Sequence, residues 1–134
     1  MLSYRHEFHA CNVADLLKHS VLSLIIEYLK QKPSPVRYID THADPGLYSI
    51  TSAMAEKTGE YQRGVGSLSL ANFPAQLAAY QSVIAAFAPD KHYPGSPLLA
   101  ARLLRAQDEL RLFELHSSEY PRLHDLLARD RRVR

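Results

Sequence analysis

The stretch Tyr38-Ile39-Asp40-Thr41-His42-Ala43-Asp44-Pro45-Gly46 constrains the chain more than any other. A β-branched, aromatic run ends on an acid, and a polar turn with Pro and Gly follows at once. Buried parallel strands deliver a ligand loop from their carboxyl ends in this way. Upstream, Asn12 reads as a helix N-cap, with Asp15 three positions on imitating a capping box. Ala14, Leu17, Val21, Leu24, Ile25 and Tyr28 then share one helical face, and Lys30, Lys32 and Pro33 close it. This predicts a helix over 13–31, a stiff connector at Pro33-Ser34-Pro35 and a strand over Val36–Thr41.

Downstream the pattern changes. Tyr48–Thr51 reads as loop and Ala53–Lys57 as one helical turn. A short helix containing Gly64 and Gly66 is predicted between Gly59 and Leu70. From Pro74 to Phe87 a better helix places Leu77, Tyr80, Ile84 and Phe87 on one face. His92–Pro97 reads as a turn, with Ser96 as N-cap and Pro97 as first residue of a helix through Leu98, Ala101, Arg102 and Arg105. Leu110–Leu115 is a second strand. Ser117 or Ser118 caps a last helix with Tyr120, Leu123, Leu126 and Leu127 inward, and Arg131–Arg134 opens a third strand. Strands alternating with helices predict an α/β fold with a parallel sheet. Two strands are too few for a sheet buried on both faces, so the architecture reads as the first part of something larger.

At 134 residues one domain is expected, and 46% hydrophobic content suffices for a modest core. Cys11 is the single cysteine, so no internal disulfide framework forms, which fits a reducing cytoplasmic setting. Met1–Glu7 lacks the apolar core of a signal peptide, and Val21–Leu29, broken by Ser23 and Glu27, is too short and polar to span a membrane. A net charge of +2 permits nucleic-acid binding without arguing for it.

The residues alone leave several chemistries open. Asp40 and His42 at a strand end suit a cofactor loop or a metal site, but the position of a second imidazole is taken by Asp44. A polar strand end with no ligand is the plain alternative. Gly46 is a single flexible residue, and Pro45 removes an N–H, so this is a weak cofactor loop on spacing alone. Glu114, at the end of the second strand, is an acid of the kind that holds both hydroxyls of a ribose, or an ordinary exposed strand-end acid. His9 and His19 read as turn and helix-surface residues. Tyr4-Arg5-His6 reads as an arm able to stack on a base or as a plain polar terminus.

Taken together, Tyr4-Arg5-His6-x-Phe8-His9-Ala10-x-Asn12-x-Ala14-Asp15-x-Leu17-Lys18-His19 resembles the N-terminal signature of the RlmJ family. These are S-adenosylmethionine-dependent adenine-N6 methyltransferases acting on 23S ribosomal RNA. Asp40-Thr41-His42-Ala43, Thr58-Gly59-Glu60-Tyr61, Tyr93-Pro94-Gly95-Ser96-Pro97 and Glu114-Leu115-His116 resemble further family blocks in the same order, over nearly the whole chain. The resemblance implies a partial Rossmann-like methyltransferase fold over residues 1–134, with an N-terminal arm at 1–12 and a helical insertion at 47–92, after the first strand. It places Lys18, His19, His42, Ser96 and Glu114 around S-adenosylmethionine, Glu114 on the ribose, and Tyr4 and His6 near the target adenine. It implies no metal.

The family's catalytic carboxylate lies in an Asp-Pro-Pro-Tyr motif on a later strand. These 134 residues contain no such motif, so no catalytic residue is assigned and the chain alone is expected to be inactive. Two local departures stand out. Asp44-Pro45 replaces a Gly-rich continuation and brings a carboxylate toward that of the methionine, and Cys11 stands where the family usually has Gly. The implied partners are protein-free 23S ribosomal RNA and either a second copy of the chain or a complementing C-terminal half. A non-catalytic RNA- or partner-binding remnant is the main rival function, and a metal-dependent hydrolase on Asp40 and His42 the lesser one.

Overall fold

The computed structural model describes residues 9–67, 69 and 72–134. The chain runs α1 (Val13–Leu29), β1 (Arg37–Asp40), β2 (Leu47–Ser49), α2 (Ala53–Thr58), α3 (Glu60–Arg63), α4 (Ala78–Phe87), β3 (His92–Pro94), α5 (Ser96–Leu103), β4 (Glu109–Leu112) and α6 (Glu119–Leu127). β1 and β4 pair in parallel, Arg37 opposite Glu109 and Asp40 opposite Leu112. On the far side of β4 the expected third strand begins. Val133 bridges Leu110 in parallel, and the amide of Arg134 donates to the Leu110 carbonyl at 2.8 Å.

Both outer ends of the β1–β4 ladder are tied by carboxylates. Before β4, Asp108 accepts from the Val36 amide at 2.8 Å, from the Arg105 amide at 2.7 Å and from the Arg105 guanidinium at 2.9 Å. Arg105 also donates to the carbonyls of Lys32 and Ser34, both at 2.8 Å, and so fixes the Pro-rich connector. Burial by itself raises the Asp108 carboxyl, but the Arg105 and backbone donors outweigh it and hold it at about 2.

The region between the strands is less helical than the sequence suggests. β2 and β3, read as loop and turn, form an antiparallel pair with Tyr48 opposite Tyr93. Three-residue strands carry no usable periodicity, so their pairing is a tertiary event. The helix expected between Gly59 and Leu70 shrinks to α3 and a 3₁₀ turn at Val65–Ser67. Gly64 allows this turn to close on the N-terminal segment: a Cβ there would lie 1.9 Å from the Cys11 carbonyl oxygen. Glu60 makes the same junction through His9 Nδ1 at 2.8 Å and Asn12 Nδ2 at 3.0 Å. Two sequence blocks 48 and 51 residues apart thus meet on one carboxylate. The donations from Asn12 and His9 keep it below the usual range.

The N-cap of α1 is as expected, Asn12 Oδ1 accepting from the Asp15 amide at 2.9 Å. Its buried face is not the apolar one. Asp15, His19, Ser23 and Ile26 are buried against α5 and α4. Leu17 (66% exposed), Val21, Leu24, Ile25 and Tyr28 form an exposed apolar stripe. The amphipathic pattern is real, but its apolar side is the exposed one. Ser96 also departs from expectation. Gly95 is the N-cap of α5, and the Ser96 hydroxyl donates to Asp40 instead. In α6, Leu123 and Leu127 are buried as expected, whereas Tyr120 is 54% exposed.

Replacing Asp108 by Ala leaves the Val36 and Arg105 donors unpaired, and urea titration is expected to show a loss of about 3 kcal/mol. The folded carboxyl lies below its unfolded value of about 3.9, so the stabilisation is present above pH ~4 and lost as the pH falls toward 2. In Asp108→Ala that acid-dependent component of the wild-type stability curve should vanish.

Candidate functional site

β1 ends at Asp40, and the chain then turns away from the sheet. Asp40 is satisfied locally: Oδ2 accepts from Tyr38 Oη at 2.7 Å and Ser96 Oγ at 2.6 Å, and Oδ1 from the His42 amide at 3.2 Å. Burial, then the Asp40 charge, pushes the Tyr38 phenol upward. Asp40 therefore locks the start of α5 to the end of β1. Asp40 thus carries three hydrogen bonds on its two oxygens, and no group of three or more His, Cys, Asp or Glu that could hold a metal ion occurs among the described residues.

Beyond β1 the loop reaches Ala43, whose amide donates to the Phe113 carbonyl at 3.0 Å. Asp44 follows at φ +52° and Gly46 at φ +77°. The Asp44 amide donates to Glu114 Oε2 at 2.7 Å, and Glu114 Oε1 accepts from the His116 amide at 2.6 Å. Glu114 thus ties the loop after β1 to the loop after β4. The structure places it two residues past the observed end of the strand. Cys11, the other departure, stands at φ +67°. Both positions where the resemblance expects glycine keep a left-handed backbone, which costs a non-glycine residue roughly 1 kcal/mol, less for Asp. The Cys11 thiol is buried and is pushed up by that burial and then by the Asp15 carboxylate, which disfavours the thiolate.

A cavity of about 230 Å³ opens over this junction. α1 contributes Asp15, Lys18 and His19, the β1 loop His42 and Asp44, and α5 Ser96. Asp15 is fully buried and accepts from the Cys11 amide at 2.9 Å, and its other oxygen lies 2.9 Å from Lys18 Nζ. Lys18 is 60% exposed, so its ammonium head is accessible. The polar lining is mixed: one ammonium, two imidazoles, the hydroxyls of Ser96, Tyr38 and Tyr48, and the carboxylates of Asp15, Asp40 and Asp44.

Four of the five residues assigned to the cofactor, Lys18, His19, His42 and Ser96, line this one cavity. Glu114 does not. It lines a second cavity of about 230 Å³ with Leu112, Tyr120, Leu123 and His124, on the other side of the Asp44–Glu114 hydrogen bond. Tyr4 and His6 lie outside the described residues. Sequence reasoning left out Asp15, which it read as a cap, and the tyrosines 38, 48, 80 and 93. The i, i+3 spacing of Asp15 and Lys18 was the one available signal for the first.

A family model described as "Ribosomal RNA large subunit methyltransferase D, RlmJ" matches residues 33–134. The Escherichia coli (strain K12) protein named ribosomal RNA large subunit methyltransferase J is 51% identical, over 100% of this chain and 49% of its own. Its namesake in Haemophilus influenzae is 46% identical, over 99% and 49%. A crystal structure of a Legionella pneumophila protein superposes with a TM-score of 0.84 at 36% identity, covering 93% of this chain and 47% of that one. The chain therefore spans about half the length of the relatives it matches. The α/β, Rossmann-like arrangement read from the sequence is the one found.

Removing the Glu114 carboxylate should free both loops at once. In Glu114→Ala, hydrogen exchange is expected to accelerate at the Asp44 and His116 amides together, with a stability loss of about 1–2 kcal/mol.

Proposed function

Since the chain belongs to the family described as ribosomal RNA large subunit methyltransferase D, RlmJ, we propose that these 134 residues form the cofactor-binding part of an S-adenosylmethionine-dependent 23S ribosomal RNA adenine-N6 methyltransferase. The observation that carries this reading is the convergence of Lys18, His19, His42 and Ser96, from three separate segments, on one cavity at the carboxyl end of β1. That is where open parallel sheets bind their ligands.

The donor set fits the cofactor. The Lys18 ammonium suits a carboxylate, the acidic groups suit an ammonium and a sulfonium, and Glu114, on the adjoining cavity, suits ribose hydroxyls. S-adenosylmethionine supplies an electrophilic methyl group on its sulfonium. The residues here bind and orient it. Tyr4 and His6 are assigned to the adenine side on the sequence resemblance alone. The carboxylate that would position the adenine amino group is not among these residues, so methyl transfer requires a further segment.

That segment also has a place to dock. The match leaves about half of each relative's length uncovered. The stripe Leu17, Val21, Leu24, Ile25 and Tyr28 is exposed, and so are Ile39 of β1 and Phe113 just after β4. A complementing C-terminal half covers this surface and extends the sheet beyond Val133.

Titration calorimetry of the chain with S-adenosylmethionine is expected to show binding that falls at least tenfold in Lys18→Ala. Asp44→Gly is expected to bind severalfold tighter, because it removes a carboxylate from the cavity and relaxes a left-handed backbone. Absence of binding by the chain overturns the cofactor assignment. Salt-dependent RNA affinity without cofactor binding would favour the non-catalytic rival. Labelled methyl transfer to 23S RNA should be absent with the chain alone and appear on adding the C-terminal half of a full-length relative. Leu17→Asp with Ile25→Asp should abolish that rescue while leaving the chain folded, since both positions are exposed.

A further inference from the structure

The carboxylate of Glu60 joins the insert to the segment that precedes α1. Gly59, at φ +63°, ends α2 and lets α3 begin at once, so Glu60 is the first residue of α3. Its Oε1 lies 2.8 Å from His9 Nδ1, and its Oε2 accepts from Asn12 Nδ2 at 3.0 Å. The same segment is gripped again just beyond α3. The Val65 amide donates to the Cys11 carbonyl at 3.0 Å, and Gly64 packs where a Cβ would not fit. Glu60 lines neither the cavity at the end of β1 nor the one at Glu114.

The Asn12 amide is used at both ends. Its oxygen caps α1 by accepting from the Asp15 amide, and its nitrogen donates to Glu60. Turned over, the side chain would set its NH2 against the Asp15 N–H and its oxygen against the Glu60 carboxylate, so its orientation is fixed. Glu60 therefore holds the residue at which α1 begins and, through His9, the chain before it. Residues 1–8 lie outside the described residues. Their chemistry is plain in the sequence: Tyr4, Arg5, His6 and Phe8 supply rings and charge of the kind that stack on bases and contact phosphate. They join the body of the molecule at His9.

We propose that Glu60 is a positioning residue for RNA binding, which anchors His9 and Asn12 so that the aromatic and basic arm of residues 1–8 meets the RNA from a fixed point. That the ligand is RNA rests on the function proposed above. The anchor itself is independent of that reading. α1 keeps its place without Glu60, because Asp15, His19, Ser23 and Ile26 are buried against α5 and α4. Loss of the anchor is therefore felt by the arm and not by the cofactor cavity.

The test uses the full 134-residue chain and 23S ribosomal RNA transcribed in vitro, with affinity read by filter binding at one fixed salt concentration. Glu60→Ala removes the anchor. Asn12→Asp keeps a good helix cap but sets two carboxylates against each other. Each is expected to weaken RNA binding about three- to tenfold. Adding Glu60→Gln to Asn12→Asp exchanges donor and acceptor across the same gap, and affinity should return to the wild-type level. In a Tyr4→Ala, His6→Ala background, Glu60→Ala should weaken binding no further, because the arm it serves is already lost. Calorimetry should show S-adenosylmethionine affinity unchanged in Glu60→Ala. RNA affinity unchanged in both single variants, a loss that the combination does not repair, or a loss that persists in full in the Tyr4→Ala, His6→Ala background overturns the positioning role. A wild type that binds no RNA overturns it together with the RNA reading. The expected RNA affinities from a chain that binds no S-adenosylmethionine support the anchor and remove only the cofactor assignment.

Discussion

The parallel pairing of Arg37–Asp40 with Glu109–Leu112 is the contact on which the rest of the molecule depends. It joins segments 72 residues apart, so it must be held against the entropy of closing a long loop. Four residue pairs of ladder are little for that task. Two carboxylates extend the grip at its ends. Asp108 takes the Val36 amide before the strands begin, and Glu114 takes the Asp44 amide after they end. Each acid thus bonds backbone across the pair, just beyond the ladder. The second clamp also shapes the ligand loop, so the same interaction serves stability and site.

Between these strands the chain makes a detour that has a purpose for the site. The β2–β3 pair brings Tyr93 under α1, and α4 brings Tyr80 behind it. Gly95 then starts α5 with Ser96 in reach of Asp40. α1 meets this assembly with its polar face. Asp15, His19 and Ser23 are buried because each finds partners or contacts there, as a buried polar group must. The hydrogen-bonded row from Tyr80 to His19 is buried in that packing. It gives the insert a direct link to the cavity, although none of α2, α3 or α4 lines it.

The same inversion of α1 explains the exposed surface. A helix with one apolar and one polar face normally buries the apolar one. Here the polar face is committed to the site, which leaves the apolar stripe for whatever covers the opposite side. The bridge at Val133, the exposed apolar stripe and the half-length match to the relatives are the three observations on which the proposed C-terminal half rests.

The sequence by itself determined the element order around the sheet, the Asn12 cap, the strand that carries Asp40 and the family. These are set by local chemistry: cap residues, β-branched runs and motif blocks are properties of neighbouring residues. It also named four residues that share one cavity, because the motif blocks carry them. Only the tertiary structure decided which face of α1 is buried, since periodicity defines a face without saying what it meets. It alone decided that Tyr48 pairs with Tyr93, because three-residue strands exist only through their partner. Ser96 passed from helix cap to Asp40 partner, and Glu114 from strand-end acid to clamp of two loops, for the same reason. A carboxylate's role is fixed by the donors that the fold brings to it, and those donors lie tens of residues away in the chain.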